Sequence, residues 1–599
     1  MVPSLNPVAT RLPTGTGHPP AAGRLTDRAC KRLAGGLILA SVVFHVAYLA
    51  FGCPLDLSPD EAHYWQWSRH LAWSYYSKGP LVAWLIRASC EVFGPLSESV
   101  VGSPMLAVRL PAVACHAALL AGWYVLAAST LKSHRAALAM VALAMTVPAV
   151  IAGAVLMTID PPFLACWCWA AVGVWKGLEA GRPTPPGPPS LKGRGESAGE
   201  ASGRTASVSE RGSSSPLPFR EGGPGGVGSS LPWWLLAGGC SALGVLAKYP
   251  MVLLPACVFG YLLVHRRDEL KRPGFWLFAL GSVAGLIPIL AWNASNGWVS
   301  FKHVGTQAAG TGDSGVRWLG PLTFVGGQLA FLIGVWFVVW AAAAWSYRRP
   351  PDPARAFLWW ASVPVWGVFA VASLRASGQI NWPAAAYVTG FVLAVAWVRD
   401  RLGGPYHRPV ARLVSCGIAV GLGLSALVHY PALMRSALAS AAGPATEKNP
   451  APIRKFDPTA RLRGWQTLAK EVDSVRDRVR AETGEEPLVA GTVWNVPGAL
   501  GVYCKGHPET YSFGLAMGDR HSQYDIWRPN PVADAQAFRG RTFVFVGDGL
   551  PADAGVFERT EPPTVVVHRE DGIPVAVWWV WVGHGFRGFP AKPPGTRRY

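Results

Sequence analysis

Charge is scarce in this chain. Of its 599 residues only 15% are Asp, Glu, Lys or Arg, against roughly 25% in soluble domains, so an all-soluble globular protein is excluded. The ten cysteines lie mostly inside apolar stretches and show no CxxC-like metal spacing, which excludes a zinc module. Cys53 and Cys90 could pair, but spacing alone does not fix the geometry. No glycine-rich phosphate cradle follows a strand-like run, so nucleotide chemistry has no motif to stand on. The N-terminus has no short apolar core followed by an A-x-A-like site, and the first apolar run reads as a retained anchor, not a cleaved leader.

Long apolar runs are abundant, and half of the chain is hydrophobic. Runs of about 18–25 residues recur, each able to cross a ~30 Å hydrocarbon core. The pattern predicts a polytopic α-helical membrane protein with about eleven spans, near 33–51, 106–130, 136–156, 161–178, 232–247, 250–265, 274–292, 321–345, 356–374, 382–398 and 411–431. The fifth and sixth are nearly fused through Lys248-Tyr249-Pro250 and could form one re-entrant pair. The net charge of +19 would suggest nucleic acid in a soluble protein. Here the cations gather in loops on one side of the predicted spans (Arg28, Lys31, Arg32; Lys132, Arg135; Arg266, Arg267, Lys271, Arg272; Arg348, Arg349; Arg399, Arg401, Arg408). That is orientation by the positive-inside rule, with those loops cytoplasmic and no nucleic-acid module. The 28 tryptophans suit interfacial belts and sugar-stacking surfaces alike.

Three segments differ in character. Residues 1–32, polar and containing Pro and Gly, read as a disordered cytoplasmic N-terminus. Residues 181–230, rich in Pro, Gly and Ser, cannot bury enough apolar surface to order and read as a disordered cytoplasmic insert. Residues 446–599, after the transmembrane domain of 33–432, predict a small extracytoplasmic α/β domain. It has a polar helix near 460–482 and strands at 488–493, 542–546, 564–567 and 575–579.

The residues able to do chemistry cluster on the extracytoplasmic side. Ser58-Pro59-Asp60-Glu61 is a helix capping box with proline at the first helical position. Yet ionisable groups beside hydrocarbon are costly unless they work, and both readings can hold, with Ser58 and Glu61 capping while Asp60 faces a groove. Asp160, before Pro161-Pro162, poses the same choice between cap and site. Lys78, Arg109, Lys248 and Arg375 stand near span ends on that side. They either snorkel toward membrane lipid head groups or bind an anionic lipid phosphate. Trp292-Asn293 with Trp298 to Phe301, and Asn381-Trp382-Pro383, place amides among indoles, as carbohydrate contacts or as an aromatic belt. Asn293 also heads an N-x-S sequon. His63 could join Glu61 or Asp160 around a divalent metal, or simply face a helix neighbour.

With these residues in view, the chain resembles the bacterial glycosyltransferase family 39-like proteins of the GT-C superfamily, relatives of protein O-mannosyltransferases and of the aminoarabinose transferases that modify lipid A. The motifs that carry the resemblance are Asp60-Glu61-Ala62-His63-Tyr64-Trp65, Tyr76-Ser77-Lys78-Gly79-Pro80-Leu81, Met157-Thr158-Ile159-Asp160-Pro161-Pro162, Lys248-Tyr249, Trp292-Asn293 and Asn381-Trp382-Pro383. The resemblance implies a polyprenyl-phosphate-sugar donor used at the outer face of the inner (plasma) membrane, and a lipid, glycan or protein acceptor. It implies Asp60 as catalytic base or acceptor-orienting residue and Asp160 as the second acid. Lys78, with Lys248 or Arg375, would take the donor phosphate. Glu61, His63, Tyr64, Tyr76, Trp292, Asn293, Asn381 and Trp382 would be substrate contacts. Gly79 stands where relatives carry proline, and Ser77 where relatives often carry an acid, which weakens a metal site. The expected reaction is inverting. The alternatives are a sugar or lipid transporter, which would need midplane ionisable residues and inverted repeats, and a non-catalytic membrane scaffold.

Overall fold

The computed structural model describes residues 25–181, 230–309, 315–550 and 555–590. Residues 1–24 and nearly all of the expected insert at 181–230 lie outside them.

Apolar helices dominate the first part of the chain. α1 (Asp27–Phe51) begins with Asp27 in its first turn and Thr26 Oγ1 accepting from Ala29 N, so the helix starts inside the stretch expected to be disordered to residue 32. Two helices follow in the region expected as one extracytoplasmic loop: α2 (Pro59–Arg69) and α3 (Leu81–Val101). Hydropathy hid α3 because Arg87, Glu91 and Glu98 interrupt its apolar residues. Arg87 and Glu91 pair one turn apart at 2.6 Å. Then come α4 (Met105–Leu131), α5 (His134–Ala144), α6 (Pro148–Val155) and α7 (Asp160–Ala180). Beyond the insert lie α8 (Leu231–Ala247), α9 (Leu253–His265), α10 (Pro273–Ser295), α11 (Val299–Ala309), α12 (Gly320–Phe331) and α13 (Val335–Ser346). The helical part closes with α14 (Pro353–Trp360), α15 (Val363–Ala372), α16 (Ala384–Leu402), α17 (His407–His429) and α18 (Ala432–Ala442).

Every expected span has a helical counterpart. Among the described residues five helical segments are long and apolar enough to cross a membrane (α1, α4, α10, α14 with α15, and α17), and up to seven spans result if α5 with α6 (bent 72°) and α12 with α13 (bent 117°) are each counted once. The chain is therefore a multi-pass membrane protein. The bends have local causes. Pro148 starts α6 and lacks the N–H that would continue α5. Gly334 (φ 70°) breaks α12 from α13. α8 and α9 are shorter apolar helices, joined by the turn Tyr249–Val252. α7 and α16 fill the middle of the bundle, and α16 is buried continuously from Ala384 to Val398. α1, α10 and α17 turn apolar residues such as Leu39, Leu280 and Leu422 outward, as a lipid-facing surface requires.

The C-terminal part carries α19 (Trp465–Thr483), α20 (Val496–Tyr503) and one mixed sheet of β1 (Leu488–Gly491), β2 (Thr510–Ser512), β3 (Phe543–Val546), β4 (Phe557–Thr560), β5 (Thr564–Glu570) and β6 (Ile573–Phe586). β1 runs parallel to β2 and β3, and β3 runs antiparallel to the long β6. β5 and β4 pair in turn along the other edge of β6. β2 escaped the sequence reading because three residues show no alternation, and β4 because Glu558 and Arg559 leave it without an apolar run.

This sheet unit is docked on the membrane helices, through the first extracytoplasmic segment. α20 lies on α2, and glycines allow the close approach. A Cβ on Gly498 would stand 3.0 Å from the backbone of Ala62 and His63, and one on Gly501 would stand 1.9 Å from Gln66 Nε2. Asp56 supplies the missing N-cap of α19 from outside it. Its carboxylate accepts from Trp465 N and from Gln466 Nε2, each at 2.7 Å. α2, α3, α19, α20 and the sheet share one hydrophobic core.

Candidate active site

The capping box at α2 is real. Glu61 N donates to Ser58 Oγ (3.1 Å) and Ser58 N donates to Glu61 Oε2 (2.8 Å). Glu61 does more than cap. Arg109 Nε and Nη2 donate to its two oxygens at 3.0 and 3.1 Å, and Met157 N donates to Oε1 at 2.8 Å. Both side chains of this ion pair are fully buried. Arg109 also donates to the carbonyls of Leu55 and Asp56. The pair thus ties together the entry to α2, the start of α4 and the segment leading to α7. Glu61, expected as a substrate contact, faces none of the cavity, and Arg109 is no head-group cation.

That brace sets where the neighbouring acids stand. Asp60, one residue before Glu61, opens into a polar cavity of about 130 Å³. Asp160, three residues after Met157, lines the same cavity. Its carboxylate does not cap α7: the helix begins at Asp160 itself, with Ile159 in the cap position. Instead Lys248 Nζ donates to Oδ1 (2.7 Å) and Asn381 Nδ2 to Oδ2 (2.6 Å).

Lys78 reaches the cavity from a tightly built turn. Tyr75 N donates to Lys78 O at 3.1 Å. Tyr75 stacks on Trp67 at 4.3 Å, and its hydroxyl donates to Trp67 O. Gly79 explains itself here: a Cβ would stand 2.1 Å from Leu246 O, so any side chain would push the turn off α8 and away from Lys248. Ser300 Oγ donates to Tyr75 O (2.9 Å), and Ser300 N donates to Asn293 Oδ1 (3.1 Å). Asn293 also donates to Ile289 O. It is buried and holds the Lys78 turn through Ser300. Trp292 beside it is absent from the cavity lining.

His63, Tyr64, Tyr76, Ser77, His303, Gln379 and Asn381 complete the wall from the membrane part. Trp382 packs toward Phe369 instead. Arg375 is exposed and does not line the cavity. In its place the sheet unit contributes Trp494, Arg520 and His521, which sequence reasoning missed. Arg520 lies in a loop without secondary-structure pattern, and only the docking of α20 on α2 brings it near Asp60. Gln523 from the same loop accepts from Tyr76 N at 2.7 Å, closing the wall.

Enclosure shapes the electrostatics. Asp60 is accessible from the cavity but surrounded by protein, and this burial raises its carboxyl above the usual range against the pull of Lys78, Arg520 and Arg461. Burial, with Lys248 nearby, lowers the Lys78 ammonium to about 8. Burial also pushes His63 down to about 3 and His303 to about 4, so both are neutral near pH 7. No group of three His, Cys, Asp or Glu placed to hold a metal occurs among the described residues. Glu61 is committed to Arg109 and Asp160 to Lys248, which removes the partners His63 would need.

The polar cavity continues into an apolar one of about 380 Å³, sharing Thr158, Asp160 and Asn381 with it. The apolar cavity runs between helices along Leu119, Trp123, Val150, Leu164, Tyr387 and Phe391. The joined space is charged at one end and apolar at the other.

Comparison with known proteins agrees with this architecture. The model of the dolichyl-phosphate-mannose-protein mannosyltransferase family matches residues 77–184 and 228–292. The lipid A galacturonosyltransferase RgtD of Rhizobium johnstonii is 43% identical over 58 residues, 10% of this chain, and the matched part spans 12% of that relative. The fold is that of ArnT from Cupriavidus metallidurans. Its apo structure gives a TM-score of 0.54 at 15% identity, covering 92% of this chain and 98% of that one. Its complex with undecaprenyl phosphate gives 0.53 at 14%, with the same coverage. The resemblance drawn from the motifs therefore holds, and the chain is a multi-pass membrane protein of the GT-C glycosyltransferase fold.

Proposed function

We propose that this protein is an inverting membrane glycosyltransferase that moves a sugar from a polyprenyl-phosphate donor to the hydroxyl of a lipid, glycan or protein acceptor. The observation that carries the reading is the joined cavity. Two carboxylates and two lysines stand at one end and a hydrocarbon-lined passage at the other, the shape and polarity of a prenyl phosphate. The structure of the similar ArnT bound to undecaprenyl phosphate supports that ligand class.

In this reading the acceptor oxygen attacks the anomeric carbon as its proton passes to the Asp60 carboxylate, or as Asp60 orients the hydroxyl. The new C–O bond forms while the bond from the anomeric carbon to the phosphate oxygen breaks. The phosphate leaves with an added negative charge, which Lys78 and Lys248 stabilise. Asp160 aims Lys248, and Asn381 fixes Asp160. His63, Tyr64 and Tyr76 shape the sugar space. The cavity residues face the side opposite the cation-rich loops, which supports an extracytoplasmic site in the inner (plasma) membrane.

The test is Asp60→Asn in reconstituted membranes supplied with a polyprenyl-phosphate-sugar. Transfer should fall by about 10²–10⁴-fold, the usual contribution of a positioned base, with normal expression and donor binding. Wild-type turnover by the variant would remove Asp60 from the chemistry.

A further inference from the structure

The charged groups of the polar cavity are poorly suited to reading a sugar ring. Lys78, Lys248 and Arg520 can only donate hydrogen bonds. Both oxygens of Asp160 already accept, from Lys248 and Asn381, and Asp60 serves the acceptor hydroxyl. A sugar hydroxyl both donates and accepts, so a site that reads one needs neutral groups able to do the same. Neutral histidine carries one donor and one acceptor on a rigid ring.

α11 carries such a group to the cavity. Ser300, His303 and Gln307 stand at positions i, i+3 and i+7, on one face of the helix. Ser300, fully buried, fixes that face through Tyr75 O and Asn293 Oδ1. One turn on, His303 is only 4% exposed and lines the cavity, and Gln307 lines it after another turn. Among the described residues neither ring nitrogen of His303 has a hydrogen-bond partner. Its ring packs on that of Tyr76, with centroids 4.7 Å apart. It is neutral near pH 7, because burial and the cations Arg520 and Lys78 oppose its protonation. A buried donor and a buried acceptor left unpaired are costly, and they call for an occupant that pairs them.

The donor phosphate belongs to Lys78 and Lys248 in the reading above, and the sugar is joined to it through one oxygen. His303 lies against Tyr76, two residues before Lys78, so the part of the donor that comes to its nitrogens is the sugar beside the phosphate. We propose that His303, with Gln307 one turn farther along α11, hydrogen-bonds ring hydroxyls of the transferred sugar and so sets which sugar the protein accepts. Selection then acts on the position of a hydroxyl and not on charge. The inference rests on the proposed glycosyltransferase reading.

The experiment uses the full chain in lipid nanodiscs, as wild type, His303→Phe, His303→Gln and Gln307→Leu. Each is titrated with polyprenyl phosphate, with a polyprenyl-phosphate hexose and pentose, and with the monodeoxy forms of both sugars. Wild type should bind the form lacking one particular hydroxyl more weakly by on the order of tenfold, as loss of a buried hydrogen bond does. H303F keeps a ring against Tyr76 but neither nitrogen, so that discrimination should disappear while polyprenyl phosphate binds as before. H303Q, which keeps a donor and an acceptor, should retain part of it. Q307L should lessen it at the same or the adjacent hydroxyl, and reads the same ratio if H303F does not fold. Discrimination by H303F equal to that of wild type, or a wild type indifferent to every hydroxyl, overturns the inference. So does loss of polyprenyl phosphate binding by H303F, which would assign His303 to the phosphate. Failure of wild type to bind polyprenyl phosphate at all would instead overturn the glycosyltransferase reading on which the inference rests.

Discussion

Glu61→Gln separates a structural acid from a chemical one sitting beside it. Glu61 accepts four hydrogen bonds, from Ser58 N, Met157 N and two nitrogens of Arg109, with neither ion-pair partner exposed to solvent. Glutamine keeps one acceptor oxygen, turns the other into a donor facing donors, and leaves the Arg109 charge uncompensated. Removing one partner of a buried pair costs about 3–5 kcal/mol. The variant should therefore lose that much stability, read as a marked drop in the temperature at which purified protein leaves its monodisperse peak. Adding Arg109→Met removes the stranded charge and should recover part of the loss. Molecules that stay folded should still bind polyprenyl phosphate. An unchanged melting temperature with abolished transfer would refute the argument and place Glu61 in the reaction.

Three further outcomes follow from the site and its support. Lys78 is charged below about pH 8 and neutral above it, so transfer should fall as pH rises through that value. Lys78→Arg should remove this alkaline limb, since arginine stays charged, and a pH–rate series reads both. On the acid side, transfer should fall as Asp60 takes up a proton, at a pH above the ordinary carboxylate value because burial raises it. Gly501→Leu would drive a side chain into Gln66 where even a Cβ stands 1.9 Å from Nε2. Overpacking of this kind costs about 1–3 kcal/mol. It should loosen α20 from α2, exposing the sheet unit to limited proteolysis and lowering transfer, because Arg520 and Gln523 withdraw from the cavity.

Much of this was legible in the sequence, for identifiable reasons. Hydropathy found a helix at each of the eleven expected spans because each is a long local signal, although among the described residues only five to seven are long and apolar enough to cross a membrane. It missed α3 because charges spaced one turn apart dilute the average. Asp60, Asp160, Lys78, Lys248 and Asn381 were found as separate motifs, and the fold brings all five to one cavity. Local grammar was right about Ser58 and Glu61 as a cap but silent on Arg109, which lies 48 residues from Glu61. For Asp160 the same grammar offered a cap, and the tertiary partners Lys248 and Asn381 took the carboxylate instead. Asn293 stood out for a real reason, although it supports a turn and does not line the cavity. Arg520 carried no signal, since its position depends on how two distant segments dock.

The most direct test of the account is a structure of the protein with a non-hydrolysable polyprenyl-phosphate-sugar. The account predicts phosphate oxygens within hydrogen-bond distance of Lys78 and Lys248, the anomeric carbon facing Asp60, and the prenyl chain passing Asn381 into the cavity lined by Trp123 and Phe391. A phosphate held elsewhere, with Asp60 remote from the sugar, would contradict it.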